Sequence, residues 1–167
     1  MLLRAATYAA LFIGFVLVFL PARVLSRAGV RAPAAFGARQ WLGAAVTLAG
    51  GVLALWCVCT LTVVGRGTPA PFDPPRRLVD RGPYAWIRNP MYVGAVVALL
   101  GAAMYYGSWA LGAFALAFLL VAAAFVRLYE EPTLRRTFGA GYAAYCARVG
   151  RWWPLRSRTR VAPPPLP

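Results

Sequence analysis

From Met91 to Val126 the chain runs for three dozen residues without a charged side chain. A single helix over that run would be about 54 Å long at 1.5 Å per residue, nearly twice the thickness of a bilayer core of about 30 Å. The run therefore has to fold back on itself. Tyr105, Tyr106, Gly107, Ser108 and Trp109 supply the expected turn, with the aromatics at the far interface. The unit predicted is a helical hairpin over 91–126 whose two ends lie on one side.

The rest of the chain fits a membrane class. Of 167 residues 61% are hydrophobic and 13% charged, too little polar surface for a soluble core of this size. Trp41 to Val64 is a second uncharged run long enough to span. Residues 5–20, between Arg4 and Pro21, give a short span. The competing signal-peptide reading lacks a small-x-small cleavage site before Arg23. The fold class expected is all-α: a polytopic membrane helix bundle of about four transmembrane helices, with the hairpin at 91–126 and C-terminal interfacial helices. Residues 1–155 form one domain and 156–167 a disordered tail rich in Pro and Arg.

The net charge of +14 comes entirely from arginine, set against Asp73, Asp80, Glu130 and Glu131. The arginines cluster between apolar spans, which makes them topology signals and headgroup contacts; the expected partner is the lipid bilayer, not nucleic acid. With four spans, about fourteen arginines fall on the side of the 65–90 loop and about four in the 21–40 loop, so the heavier side is assigned to the cytosol. Arg23 to Arg39 are then left on the other side, accommodated if that segment lies in the interface. Asp73 and Asp80 are expected to pair with arginines or cap turns. There is no His, and Cys57 and Cys59 lie on roughly opposite sides of a helix, so no metal site is expected. Cys146 is taken as an incidental thiol.

Two polar clusters flank the hairpin. In Arg81 to Gly94, reading RGPYAWIRNPMYVG, Pro83 and Pro90 restrict the residues before them, so Asn89 is predicted in a non-helical turn and Pro90 at the first helical position. Arg88 and Asn89 are thereby held beside the free N–H groups of a helix start, where an anion is favoured. The second cluster begins at Tyr129, Glu130, Glu131 and Pro132. Adjacent acids at a helix end are unfavourable without compensation, and Arg127, Arg135 and Arg136 are at hand to supply it. Gly43, Thr47 and Gly51, and separately Gly94, Ala98 and Ala102, place small side chains where another helix can approach. Gly94 and its neighbours equally leave room for a ligand against bare backbone.

GPYAWIRNPMYVG at 82–94, Gly101, EEPTLRRTFGAGYAAYCARV at 130–149 and the closing Arg151, Trp152 and Pro154 together resemble the isoprenylcysteine carboxyl methyltransferase and phospholipid methyltransferase family of membrane enzymes. The resemblance covers roughly residues 65–155. It implies S-adenosylmethionine as cofactor, a lipidic or hydrophobic small-molecule acceptor such as a prenylcysteine carboxylate, and a bacterial inner membrane location with the cofactor site facing the cytosol. It assigns Arg88 and Asn89 to catalysis. Tyr84, Arg88, Asn89, Tyr92, Gly94, Gly101, Glu130, Glu131 and Tyr142 are assigned to cofactor binding, with Tyr145 helping to close the pocket. Asn89 stands where many members have His, so no imidazole base is available there and Asn89 is left to hydrogen-bond. Two alternatives remain: an NADPH-dependent membrane reductase of the sterol-reductase type, using Arg88, Arg135, Arg136 and Arg148 for phosphate, or a non-catalytic membrane protein of the same fold.

Overall fold

The computed structural model describes Thr7 and residues 14–65 and 76–154. The 66–75 stretch with Asp73, half of the 5–20 segment and the 156–167 tail lie outside the described residues. Among the described residues, apart from a single parallel bridge between Ile87 and Gly150, the regular structure is helical. A π turn at Gly14–Phe19 leads into α1 (Leu20–Arg27). Then follow α2 (Ala38–Val63), a 3-10 turn (Gly82–Ala85), α3 (Pro90–Tyr106), α4 (Trp109–Phe125), a π turn (Val126–Glu130) and α5 (Glu131–Arg148).

Helix α2 is long and apolar enough to cross a membrane, as is the run Trp109–Arg148, which is kinked at Gly139 (φ 50, ψ −124). Helix α3 is apolar but has 17 residues, about 26 Å of helix, a few ångströms short of a bilayer core of about 30 Å. The hairpin is formed where the sequence places it. Gly107 takes the left-handed conformation (φ 62, ψ 34) that ends α3. Its N–H reaches Met104 O at 3.2 Å, and that of Ser108 reaches Ala103 O at 3.0 Å, closing the last carbonyls of α3. The Ser108 hydroxyl then accepts from Leu111 N at 3.3 Å and opens α4. The Arg39 guanidinium lies over Gly107, so close that a Cβ there would sit 2.9 Å from its Nη1. Helix α1 packs against α4.

The tightest packing in the bundle is between α2 and α3. Lipid tails are as apolar as leucine, so two spans gain little from hydrophobicity alone and associate through close contact. Gly43, Thr47, Gly50 and Ala54 of α2 meet Tyr105, Gly101, Ala98 and Gly94 of the antiparallel α3. A Cβ on Gly94 would come within 2.9 Å of Ala54 N and Gly50 O, and one on Gly43 within 2.6 Å of Tyr105 N. Gly50, not Gly51, holds the predicted position in this seam, because a Cβ on Gly51 meets nothing within 4 Å. Gly94 and Gly101, given to the cofactor by the resemblance, are close to a helix backbone instead.

Valine at position 50 or 101 would drive two backbones apart. Gly50→Val and Gly101→Val are each expected to destabilise the bundle by about 3 kcal/mol, measured as a lower unfolding midpoint in detergent, while Gly51→Val leaves the midpoint unchanged.

Candidate functional site

The loop before α3 is shaped by its special residues. Gly82 has φ 58 and Pro83 sits in the first turn of the 3-10 helix. Asn89 (φ −124, ψ 50) is the non-helical residue before Pro90, as the two prolines require. Between them the chain pairs with the C-terminal segment: the Arg88 N–H donates to Gly150 O at 2.8 Å, and Asn89 Nδ2 donates to Arg151 O at 3.1 Å. Asn89 is thus buried with its amide committed to the C-terminal backbone.

At the far end of the hairpin's second helix, the π turn Val126–Glu130 delivers two adjacent acids to different partners. Glu131, 5% exposed, is held by two arginines. Arg151 binds it through two parallel bonds, Nε to Oε1 and Nη2 to Oε2, both 2.7 Å, and Arg88 Nη1 approaches Oε1 at 2.9 Å. Burial opposes ionisation of Glu131, but the hydrogen bonds of Arg151 and the charges of Arg88 and Arg151 outweigh it and hold the carboxyl below its usual range. Glu130 accepts from the Tyr92 hydroxyl at 3.2 Å. Burial pushes its carboxyl up; the bond from Tyr92 opposes this and the charge of Glu131 adds to it.

The compensation for Glu131 thus comes from residues 43 positions upstream and 20 downstream in sequence, Arg88 and Arg151. Of the neighbours at hand, Arg135 contributes a charge to Glu131, whereas Arg136 binds Thr133 Oγ1 at 3.5 Å and Arg127 is exposed. Arg151 is the site residue that sequence reading left out of the assigned set; the trace of it was the closing Arg-Trp-Trp-Pro. Cys146 is another: Arg88 Nη1 donates to its Sγ at 2.8 Å. Asp80 pairs with Arg148 at 3.6 Å on the surface.

The remaining assigned residues separate into those at this cluster and those away from it. Tyr142 is 2% exposed and lies against Tyr145 and the Arg135 guanidinium. The Tyr145 hydroxyl donates to Tyr84 O at 2.7 Å, which ties α5 to the loop. The Tyr84 side chain packs with Cys57 and Val79. Burial raises the phenols of Tyr84, Tyr142 and Tyr145, so all three stay neutral donors at neutral pH. The structure therefore brings together Arg88, Asn89, Tyr92, Glu130, Glu131 and Tyr142 at one end of the hairpin, whereas Gly94 and Gly101 face α2. No group of His, Cys, Asp and Glu suited to a metal occurs among the described residues.

Two features of the cluster bear on ligands. Arg88 Nε is buried without a hydrogen-bond partner, a donor that costs free energy until something accepts from it. Beside the cluster, an apolar cleft of about 430 Å³ opens between α3 and α4, lined by Val93, Val97, Leu119, Leu120, Ala123 and Trp152 among others. Trp152 stands against Tyr92, ring centroids 6.4 Å apart, so cleft and acids are neighbours.

Residues 38–141 match the family model described as phospholipid methyltransferase, more than half of the chain. No curated protein and no solved structure matches.

Removing one member of a buried charge cluster strands the others. Glu131→Gln is expected to cost about 3 kcal/mol, at the low end of such losses because the Arg151 side chain is 36% exposed. The folded pKa is depressed, so this stabilisation is complete above the unfolded carboxylate value of about 4.3 and is lost as pH falls through the folded value. Denaturation midpoints of the two proteins should converge in acid.

Proposed function

The chain belongs to the phospholipid methyltransferase family of membrane methyltransferases, and on that premise we propose that it moves a methyl group from S-adenosylmethionine to a lipidic or hydrophobic acceptor, such as a carboxylate carried on a hydrophobic chain. The observation that carries this reading is the adjacency of a charged cluster with an unsatisfied buried donor to an apolar cleft at one end of the hairpin.

The residues fit the cofactor. Arg88 Nε is an unpartnered N–H suited to the methionine carboxylate. Glu130, joined to Tyr92, is placed to accept from ribose hydroxyls or an amino group and to offset a positive sulfonium. Tyr142, packed over this cluster, closes it from the α5 side. When bound, S-adenosylmethionine supplies a methyl group already activated by its sulfonium.

What the chain itself contributes is alignment and exclusion of water. Asn89 and Arg151 fix the C-terminal segment against the loop, and the Glu131 pairs hold the Arg88 guanidinium in place. An acceptor that is already a nucleophile then needs no imidazole base, and positioning can supply most of the rate. The acceptor's chain rests in the α3–α4 cleft and enters it sideways from the bilayer. The charged end faces the cytosol of a bacterial inner membrane, the side to which most arginines are assigned.

Purified protein incubated with methyl-labelled S-adenosylmethionine and a native lipid extract should yield a labelled lipid. Binding of NADPH with none of S-adenosylmethionine in isothermal titration would instead indicate the reductase. Arg88→Lys keeps the charge and loses Nε, and Glu130→Gln loses the acid. Each should weaken cofactor binding about tenfold or more, the value of a charged hydrogen bond. Because the Glu130 carboxyl is raised, wild-type affinity should climb with pH as it ionises, and the Glu130→Gln profile should be flat.

A further inference from the structure

The end of the bundle away from the Glu131 cluster carries cations and no acid. The elements that build it, residues 14–65 and 90–125, contain Arg23, Arg27, Arg31 and Arg39 and not one Asp or Glu. All four arginines are exposed, and the ion pairs among the described residues are made by Arg88, Arg148 and Arg151 instead. Arg39 lies over Gly107 at the hairpin turn. The other three face no carboxylate of the described residues.

The fold gives these arginines a defined arrangement. In α1, Pro21 is buried and Val24 and Leu25 are half-buried, so this face turns to the bundle, and Arg23 and Arg27, one turn apart, share the opposite face. Like charges at that spacing repel each other, and an anion laid across them relieves the repulsion. Helix α1 then stops at Gly29, whose φ is 66. The Gly29 N–H donates to Ser26 O at 3.2 Å and the Val30 N–H to Leu25 O at 3.0 Å, a closure that turns the chain and sets Arg31 just beyond the helix end. Aromatic rings stand at the same end. Phe36 packs against Trp41 and Tyr105, with centroids 6.2 and 6.1 Å away, and Trp41 and Trp109 are 69% and 86% exposed. Indole rings so placed settle at the head-group level of a bilayer.

Exposed guanidinium groups spread over a helix and the loop after it fit a surface rather than a small solute, which has to be gripped from several sides. An anionic leaflet offers a phosphodiester to each arginine at once, while the rings anchor at the acyl boundary. We propose that Arg23, Arg27 and Arg31, rimmed by Phe36, Trp41 and Trp109, bind anionic phospholipid head groups at the hairpin-turn end of the bundle, on the leaflet opposite the one that the charged cluster faces. The arginines that the span count leaves on that side then have their counter-ions in the lipid. This surface involves no methyl transfer, and its test is independent of the activity proposed above.

The test is hydrogen exchange of the full chain, read by mass spectrometry on the amides of the 28–37 loop between α1 and α2. Nanodiscs of dioleoyl phosphatidylglycerol and of dioleoyl phosphatidylcholine present the same chains with and without head-group charge. Each arginine near an anionic surface is worth about fivefold in association, so with two or more engaged the loop amides of wild type should exchange about tenfold more slowly in the anionic discs. Added salt should shrink the difference as screening shortens. The variant carrying Arg23→Gln, Arg27→Gln and Arg31→Gln should lose it, and the same three changed to Lys should keep most of it. Equal exchange in the two discs for wild type, or slowing that persists in the Gln variant, overturns the assignment. So does equal slowing by inorganic phosphate added to the phosphatidylcholine discs, which would make the ligand a free anion. Thermal unfolding shows that each variant is folded, and Arg23→Gln with Arg27→Gln carries the test if the triple variant is not.

Discussion

One buried carboxylate holds the polar end of this protein together. Glu131 sits at the start of α5, Arg88 in the loop before α3 and Arg151 after α5, and the three meet within 2.9 Å. An isolated ionised carboxylate at that depth would cost several kcal/mol. Two guanidinium groups, one of them bidentate, offset it and leave a net positive charge behind. The neighbouring backbone contacts, Arg88 N to Gly150 O and Asn89 to Arg151 O, run between the same segments. Loop, α5 and closing segment are therefore one unit, and the orphaned Arg88 Nε lies inside it.

Helix α3 serves two neighbours that make opposite demands on it. Toward α2 it presents Gly94, Ala98 and Gly101, because only bare backbone lets two spans meet closely in lipid. Toward α4 it presents Val93 and Val97, whose side chains leave a cleft unfilled, and above them Tyr92, whose hydroxyl reaches Glu130. The glycines do for the fold what sequence pattern alone would equally allow them to do for a ligand. The close α2–α3 seam and the open α3–α4 cleft thus lie on different faces of one helix.

How far the sequence could be read depended on the range of the forces involved. The hairpin, its turn at Gly107 and Ser108, and the kinked entry through Asn89 and Pro90 follow from local chemistry: an uncharged run too long for one crossing, a glycine at positive φ, and two prolines. The meeting of the clusters at 81–92 and 127–145 follows from the hairpin's geometry. The partners of Glu131 did not, since nearby Arg127, Arg135 and Arg136 were as plausible in sequence as Arg88 and Arg151. Gly51 was indistinguishable from Gly50, one residue and 100° of helix away. Arg88 also finds Cys146 across 58 residues, a contact that no spacing announces. Local rules gave the frame, and tertiary packing chose among chemically equivalent side chains.

The link between Arg151 and Trp152 joins the two halves of the site through a single peptide bond. The indole of Trp152 is thereby carried by a segment that ion pairs and hydrogen bonds hold in place. Charge pairs and backbone hydrogen bonds do not slide as aliphatic contacts do, so the segment keeps its register on the loop. A change that loosened the Glu131 cluster would move the indole as well as the guanidinium. Charged cluster and apolar cleft are therefore coupled, although one is held by ionic contacts and the other by apolar ones.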